Sequence, residues 1–157
     1  MKRHPSLHAL SEHHHHALVR ALEIRRAAQG PARARAQAVR AAAQTFLRFW
    51  KKTGREHFRQ EEEVLLPAFA RHVALDQDAA VMRMLAQHAV IRGLVEDLAA
   101  ALAQKRPVEK TMTRLGQLLH DHVRLEENEI FPRIEATLGQ AELQTLGHQL
   151  PRMHKKS

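Results

Sequence analysis

Apolar residues recur in helical steps along nearly the whole chain. Leu7, Leu10, Leu18 and Leu22 lie on one side of a segment predicted to run from Ser6 to Ala28, and Gly30-Pro31 behind it is a helix-stop signal. A second segment, Ala32 to Arg71, sets Phe46, Trp50, His57, Glu61, Val64 and Ala68 at steps of 4, 7, 4, 3 and 4, which keeps them on one face. Within it, Gly54 is expected to kink the helix and Pro67 to bend or fray its last turn. A third segment is expected from Asp76 to Gln104, ending at Lys105-Arg106-Pro107. The fourth, Val108 to Ile134, carries Leu115, Leu118, Leu119, His122, Glu126 and Ile130 on one stripe. A short fifth, Gln140 to Leu150, is expected to pack as a C-terminal helix. The pattern predicts an all-α, up-down-up-down four-helix bundle over residues 1–150, followed by a basic tail, Pro151–Ser157.

Composition agrees with that picture. A chain of 157 residues suits one domain with one core. Aromatic residues are 4% and tyrosine is absent, so leucine, alanine and valine must fill most of the interior. The absence of cysteine excludes disulfides, thiolate metal sites and cysteine nucleophiles. No apolar run approaches the roughly 20 residues needed to span a bilayer, and none near the N-terminus resembles a signal peptide, so the expected location is cytoplasmic. The formal net charge of +8 raises nucleic-acid binding as a reading. Against it, the basic residues are spread among alanines, no aromatics interleave with them, and no helix-turn-helix or zinc-finger spacing is present. A solvated arginine-rich helix face is the expectation.

The thirteen histidines change the picture most. His57-Phe-Arg-Gln-Glu61-Glu62-Glu63-Val-Leu-Leu-Pro67 aligns with His122-Val-Arg-Leu-Glu126-Glu127-Asn128-Glu129-Ile-Phe-Pro132, and five of eleven positions are identical. This is an internal duplication. His and Glu at i and i+4 share a helix face one turn apart. Both lie on inward stripes, where an uncompensated carboxylate is heavily penalised, and a cation is the economical compensation. Imidazole with carboxylate suits iron, manganese or zinc better than calcium or magnesium.

A weaker repeat links the first and third helices. His88 has apolar residues at +3, +6 and +7, and His15, inside the tract His13–His16, has the same offsets. The centroid of Leu7, Leu10, Leu18 and Leu22 instead lies nearer His14. The register match is preferred here, so the expected metal ligands are His15, His57, Glu61, His88, His122 and Glu126. His120 is the reserve among the remaining histidines, which are expected to be solvated or capping. Glu62, Glu63, Glu127 and Glu129 beside Arg59, Arg71, Arg124 and Arg133 are expected to form surface ion pairs of about 0.2–0.5 kcal/mol each. One or two of these acids have the alternative of supporting a histidine ligand. Met82, Met84 and Trp50 read as core filling.

On His15-x-x-Leu18, His57-x-x-x-Glu61-Glu62, His88-x-x-Ile91 and His122-x-x-x-Glu126-Glu127, the chain from about Leu7 to Ile134 resembles the hemerythrin-like, His-His-Glu cation-binding domains. It differs from the ferritin-like pattern, whose repeated unit is Glu-x-x-His. The resemblance implies two non-haem iron ions, with glutamate and oxide or hydroxide bridges, and a small exogenous ligand: dioxygen, nitric oxide or peroxide. One departure stands out. Oxygen-carrying members have a further histidine one turn before the third-helix ligand, and here that position is Met84. The departure weighs against reversible oxygen carriage and leaves a non-enzymatic binding or sensing role as the expectation. A di-iron redox enzyme, for peroxide or nitric oxide detoxification or iron–sulfur repair, is the alternative, and a basic helical interaction module the third reading.

Overall fold

The computed structural model describes residues 3–150, and every regular element among them is helical. The expected basic tail, Pro151–Ser157, lies outside the described residues. Helix α1 is His8–Ala28, led by a 3-10 turn at Pro5–Leu7. Helix α2 occupies 32–69 without interruption, as α-helix at Ala32–Phe49, Arg55–Gln60 and Leu66–Phe69 with π-helical turns at Trp50–Gly54 and Glu61–Leu65 between. Helix α3 is Ala79–Ala103. Helix α4 occupies 109–137, with a π-helical turn at Glu126–Ile130 between Glu109–Leu125 and Phe131–Thr137. Helix α5, Gln140–Gln149, packs across the end of the bundle against the Pro5–Leu7 turn and the Glu61–Leu65 turn. The four long helices run alternately up and down, as the pattern predicted.

Helices α1 and α3 bury matching seams. In α1 and the turn before it the buried positions are Leu7, Leu10, His14, Ala17, Ala21 and Ile24, and in α3 they include Val81, Met84, His88, Ile91, Val95 and Leu98. Both advance by steps of 3 and 4, the spacing of a narrow bundle seam. The alanines of α1 let it come close to α4. A Cβ added at Gly116 of α4 would sit 2.9 Å from the Ile24 side chain, inside any real contact.

The prolines do not break their helices, and the π turns explain why. Proline lacks an N–H and clashes with the carbonyl four residues back. Before Pro67 the Leu66 N–H reaches five residues back to the Glu61 carbonyl, and before Pro132 the Phe131 N–H does the same to Glu126. Each widened turn begins on the repeated glutamate. The extra residue also rotates the remainder of the helix. Beyond Glu61 the buried positions are Leu65, Leu66 and Phe69, whereas Val64 and Ala68, expected on the inward face, are only partly buried. Gly54 lies in the first π turn with ordinary helical dihedrals. Its role is clearance rather than a kink, because a Cβ there would meet the Trp50 indole at 2.6 Å.

Helix ends are locally specified. Asp78 caps α3, accepting hydrogen bonds from Ala80 N and Val81 N at 3.1 Å each, and pairs with Arg133 of α4. The Arg133 guanidinium, helped by those two amides and opposed by partial burial, holds the Asp78 carboxyl below its usual range. Its stabilising contribution is therefore complete above the unfolded aspartate pKa of about 4 and is lost as pH falls through the lower folded value. Asp78→Ala is expected to cost about 1 kcal/mol, and to remove that part of the acid sensitivity, in urea titrations at neutral and acid pH. At the far end of α3, Arg106 N–H bonds the Ala101 carbonyl and Lys105 N–H the Leu102 carbonyl, a Schellman closure with Lys105 at φ 56°.

Two apolar clusters fill the bundle. One holds Ile24, Phe46, Phe58, Ile91, Leu98 and Leu115, and the other holds Leu7, Leu10, Met84, Phe131, Ile134 and the buried leucines of α5. Between them lies a layer of buried polar side chains.

Candidate metal centre

That layer consists of His14 from α1, His57 and Glu61 from α2, His88 from α3, and His122 and Glu126 from α4, all nearly or fully buried. Five of the six residues expected from the sequence meet here. The sixth does not. His15 lies on the exposed side of α1, and His14 takes the inward place. The cause is the alanine content of the α1 seam. The offset match to His88 sets Leu18 and Leu22 in the seam, but both are only partly buried, while Ala17 and Ala21 are the residues against α4. Aligning His14 with His88 pairs Leu10 with Met84, Ala17 with Ile91 and Ala21 with Val95, all buried, so the two helices repeat in this register.

The donors form two sets, each holding one atom from four residues within 4.8 Å of one another: His14, His57, Glu61 and Glu126, and His88, His122, Glu61 and Glu126. The carboxylates belong to both. Glu61 Oε1 faces His57 Nε2 at 3.3 Å and His14 Nε2 at 3.7 Å, while its Oε2 faces His88 Nε2 at 3.4 Å. Glu126 is arranged the same way in reverse, with Oε2 2.8 Å from His14 Nε2 and Oε1 3.0 Å from His122 Nε2. Each carboxylate thus presents one oxygen to each histidine pair.

All four Nε2 atoms and all four carboxylate oxygens are buried without a well-formed hydrogen bond. Eight polar atoms orphaned together in one layer are a strong exception to the rule that buried polar groups are satisfied. A cation in each set would satisfy them, and the mixed imidazole and carboxylate chemistry fits iron, manganese or zinc. The residues present therefore fit a two-metal group.

The outer nitrogens of three histidines are held from behind. His14 Nδ1 lies 2.6 Å from Glu127 and His88 Nδ1 2.7 Å from Glu62, while His122 Nδ1 lies 3.1 Å from Gln87 Oε1. The second glutamate of each repeated motif thus holds a histidine of another helix. Both are themselves anchored, Glu62 by Arg92 at 2.8 and 2.9 Å, and Glu127 by Ser11 at 2.7 Å and by Arg3. Support of this kind fixes ring orientation and raises ligand basicity. It was an open alternative for Glu62 and Glu127 from the sequence, but Gln87 carried no signal beyond lying next to His88.

Charge balances inside the layer. Burial alone would depress the imidazoles, yet the carboxylates of Glu126, Glu127 and Glu61 raise His14 well above its ordinary pKa, and those of Glu126, Glu61 and Glu62 raise His88 to about 10. Burial prevails at His57, pushed down to about 3. Burial and mutual repulsion disfavour charge on Glu61, but the surrounding histidines hold it below the usual range, and His122, His14 and His88 do the same for Glu126 against its burial. The imidazoles must be neutral to bind a metal, so metal uptake at this layer competes with protons.

Met84 is fully buried in the lower apolar cluster. Neither Glu12, Glu56 nor Glu62 joins either donor set. A cavity of about 10 Å³ adjoins the other side of the layer, between His14, His57 and the Trp50–Gly54 turn. It has room for about one water-sized molecule.

A family model, the hemerythrin HHE cation-binding domain, matches residues 6–134, a span that contains both His-x-x-x-Glu motifs and all six buried ligand candidates. No curated protein and no solved structure matches the chain. Among the described residues no helix is long and apolar enough to cross a membrane.

Proposed function

We propose that this chain, which belongs to the hemerythrin HHE cation-binding family, holds two non-haem iron ions and uses them to bind or sense a small ligand, dioxygen, nitric oxide or peroxide. His14 and His57 would hold one ion and His88 and His122 the other, with Glu61 and Glu126 available to both. The observation that carries the reading is the shared pair of carboxylates, each with one oxygen toward each histidine pair. Bound iron would supply open coordination positions and one-electron redox chemistry. The chain's own part is to orient four imidazoles, exclude bulk water with apolar clusters on both sides, and leave a space near His14 and His57. That space has room for about one water-sized molecule, which is in keeping with a small exogenous ligand.

Metal analysis of iron-loaded protein is expected to give about two iron ions per chain. Nitric oxide or peroxide added to it should change the visible spectrum at stoichiometric amounts. Iron content near zero would sink the reading. Sustained turnover of peroxide or nitric oxide above a free-iron control would replace it by the redox-enzyme alternative.

A further inference from the structure

We propose that the pole of the bundle opposite α5 is a docking surface for the phosphate backbone of a nucleic acid, engaged without sequence preference. The sequence scatters its basic residues among alanines, which weighs against such a surface, but the fold gathers them. The end of α1, the start of α2, the end of α3 and the start of α4 meet at this pole. Residues 25–40 and 97–114, which build it, carry nine lysines and arginines against two acids, Asp97 and Glu109. Most of the net charge of +8 is therefore at one end.

Around and beyond the metal layer the pairing is mixed, since Arg48, Arg55, Arg71 and Arg124 have no carboxylate within 4 Å among the described residues while five other arginines do. There Arg3, Arg59, Arg83, Arg92 and Arg133 each hold a carboxylate. None of the nine basic residues at the pole has an acidic partner within 4 Å among the described residues. The first turns of α2 lie free of the bundle, and residues 31–38 are all exposed, with Arg33 and Arg35 among alanines. Arginine outnumbers lysine seven to two at this pole, and its planar fork matches phosphate. No large apolar side chain is exposed there; among the described residues the two exposed ones are Val90 and Met82, the latter expected in the core from the sequence, and both are elsewhere on α3. Protein interfaces commonly centre on large buried side chains, and a lipid surface is held more firmly when an apolar face inserts. A phosphate backbone needs neither, because affinity comes from counterion release.

The test is fluorescence anisotropy of a labelled random-sequence DNA duplex of about 25 base pairs, titrated with full-length, metal-loaded protein. If on the order of five phosphates are neutralised, affinity should fall about 500-fold between 50 and 200 mM salt. Arg33→Glu with Arg35→Glu, and separately Lys105→Glu with Arg106→Glu, should each weaken binding at least tenfold at 50 mM salt and flatten the salt slope. Metal content and helical circular dichroism should stay unchanged in both. Arg59→Ala with Arg83→Ala, away from the pole, should bind within twofold of the parent. Three results overturn the proposal: no salt-dependent binding at 50 mM, binding indifferent to both pole variants, or binding to anionic phospholipid vesicles in preference to the duplex. Loss of binding on truncation of residues 151–157 while the pole variants remain neutral would equally overturn it. None of these outcomes depends on which metal the site holds.

Discussion

Replacing Glu61 and Glu126 together by alanine is expected to abolish metal binding and to remove the whole stabilisation that metal confers. Each donor set contains four residues and shares both glutamates, so the double substitution leaves each with two imidazoles. Two neutral nitrogens without a carboxylate are a poor site for a hard cation. Metal bound only by the folded chain stabilises by about 2.7 kcal/mol per site at a hundredfold excess over Kd. For two sites this is about 5 kcal/mol, roughly 10–20 °C in melting temperature for a chain of this size. The loaded parent should lose that increment on chelation, and the variant should have none to lose. Glu63→Ala with Glu129→Ala changes two surface acids of the same motifs and controls for acidity alone. A variant that fails to fold is identified by its circular dichroism, and the single changes Glu61→Gln and Glu126→Gln then carry the test. Full metal content in the folded double variant would show that these carboxylates are not the bridges.

The sequence exposes what is periodic and apolar, and it conceals what depends on alanine or on an inserted residue. Four helices and the inward direction of His57, Glu61, His88, His122 and Glu126 were legible because leucines and phenylalanines flank them at helical spacing. The α1 register was not, because Ala17 and Ala21 form its seam while the more apolar Leu18 and Leu22 sit at its margin. The leucine centroid pointed to the inward histidine and the offset match did not, because that match takes no account of how closely α1 approaches α4, where a Cβ at Gly116 would meet Ile24 at 2.9 Å. The π turns were hidden as well. Nothing in His-x-x-x-Glu-Glu signals a widened turn, although the proline six residues after the first glutamate in both copies is its trace, since it removes the donor that a regular turn would need. The crossed support of His14 by Glu127 and of His88 by Glu62 is a fact of assembly. It requires both halves in place, and each motif alone shows only an extra acid.

The sharpest discrimination concerns the histidine tract. His14→Ala is expected to cost one of the two ions, and His15→Ala neither. His14 is the only α1 residue in either donor set, and its loss leaves His57 as the single imidazole of that set. The set with His88 and His122 keeps its four donors, so metal content should fall from about two toward one per chain rather than to zero. The change also strips Glu127 of the ring it holds, leaving that carboxylate to Ser11 and Arg3. Glu127→Gln separates the two effects. It keeps the ligand and weakens its support, and it should lower affinity at the first ion by about 10–100-fold without emptying the second. His15 is exposed and contacts the neighbouring His16 ring, so its removal should leave content, affinity and melting temperature unchanged within error. The opposite ranking, with His15→Ala depleting the metal and His14→Ala silent, would mean that α1 is rotated by one residue in solution. It would also undo the match between the α1 and α3 seams.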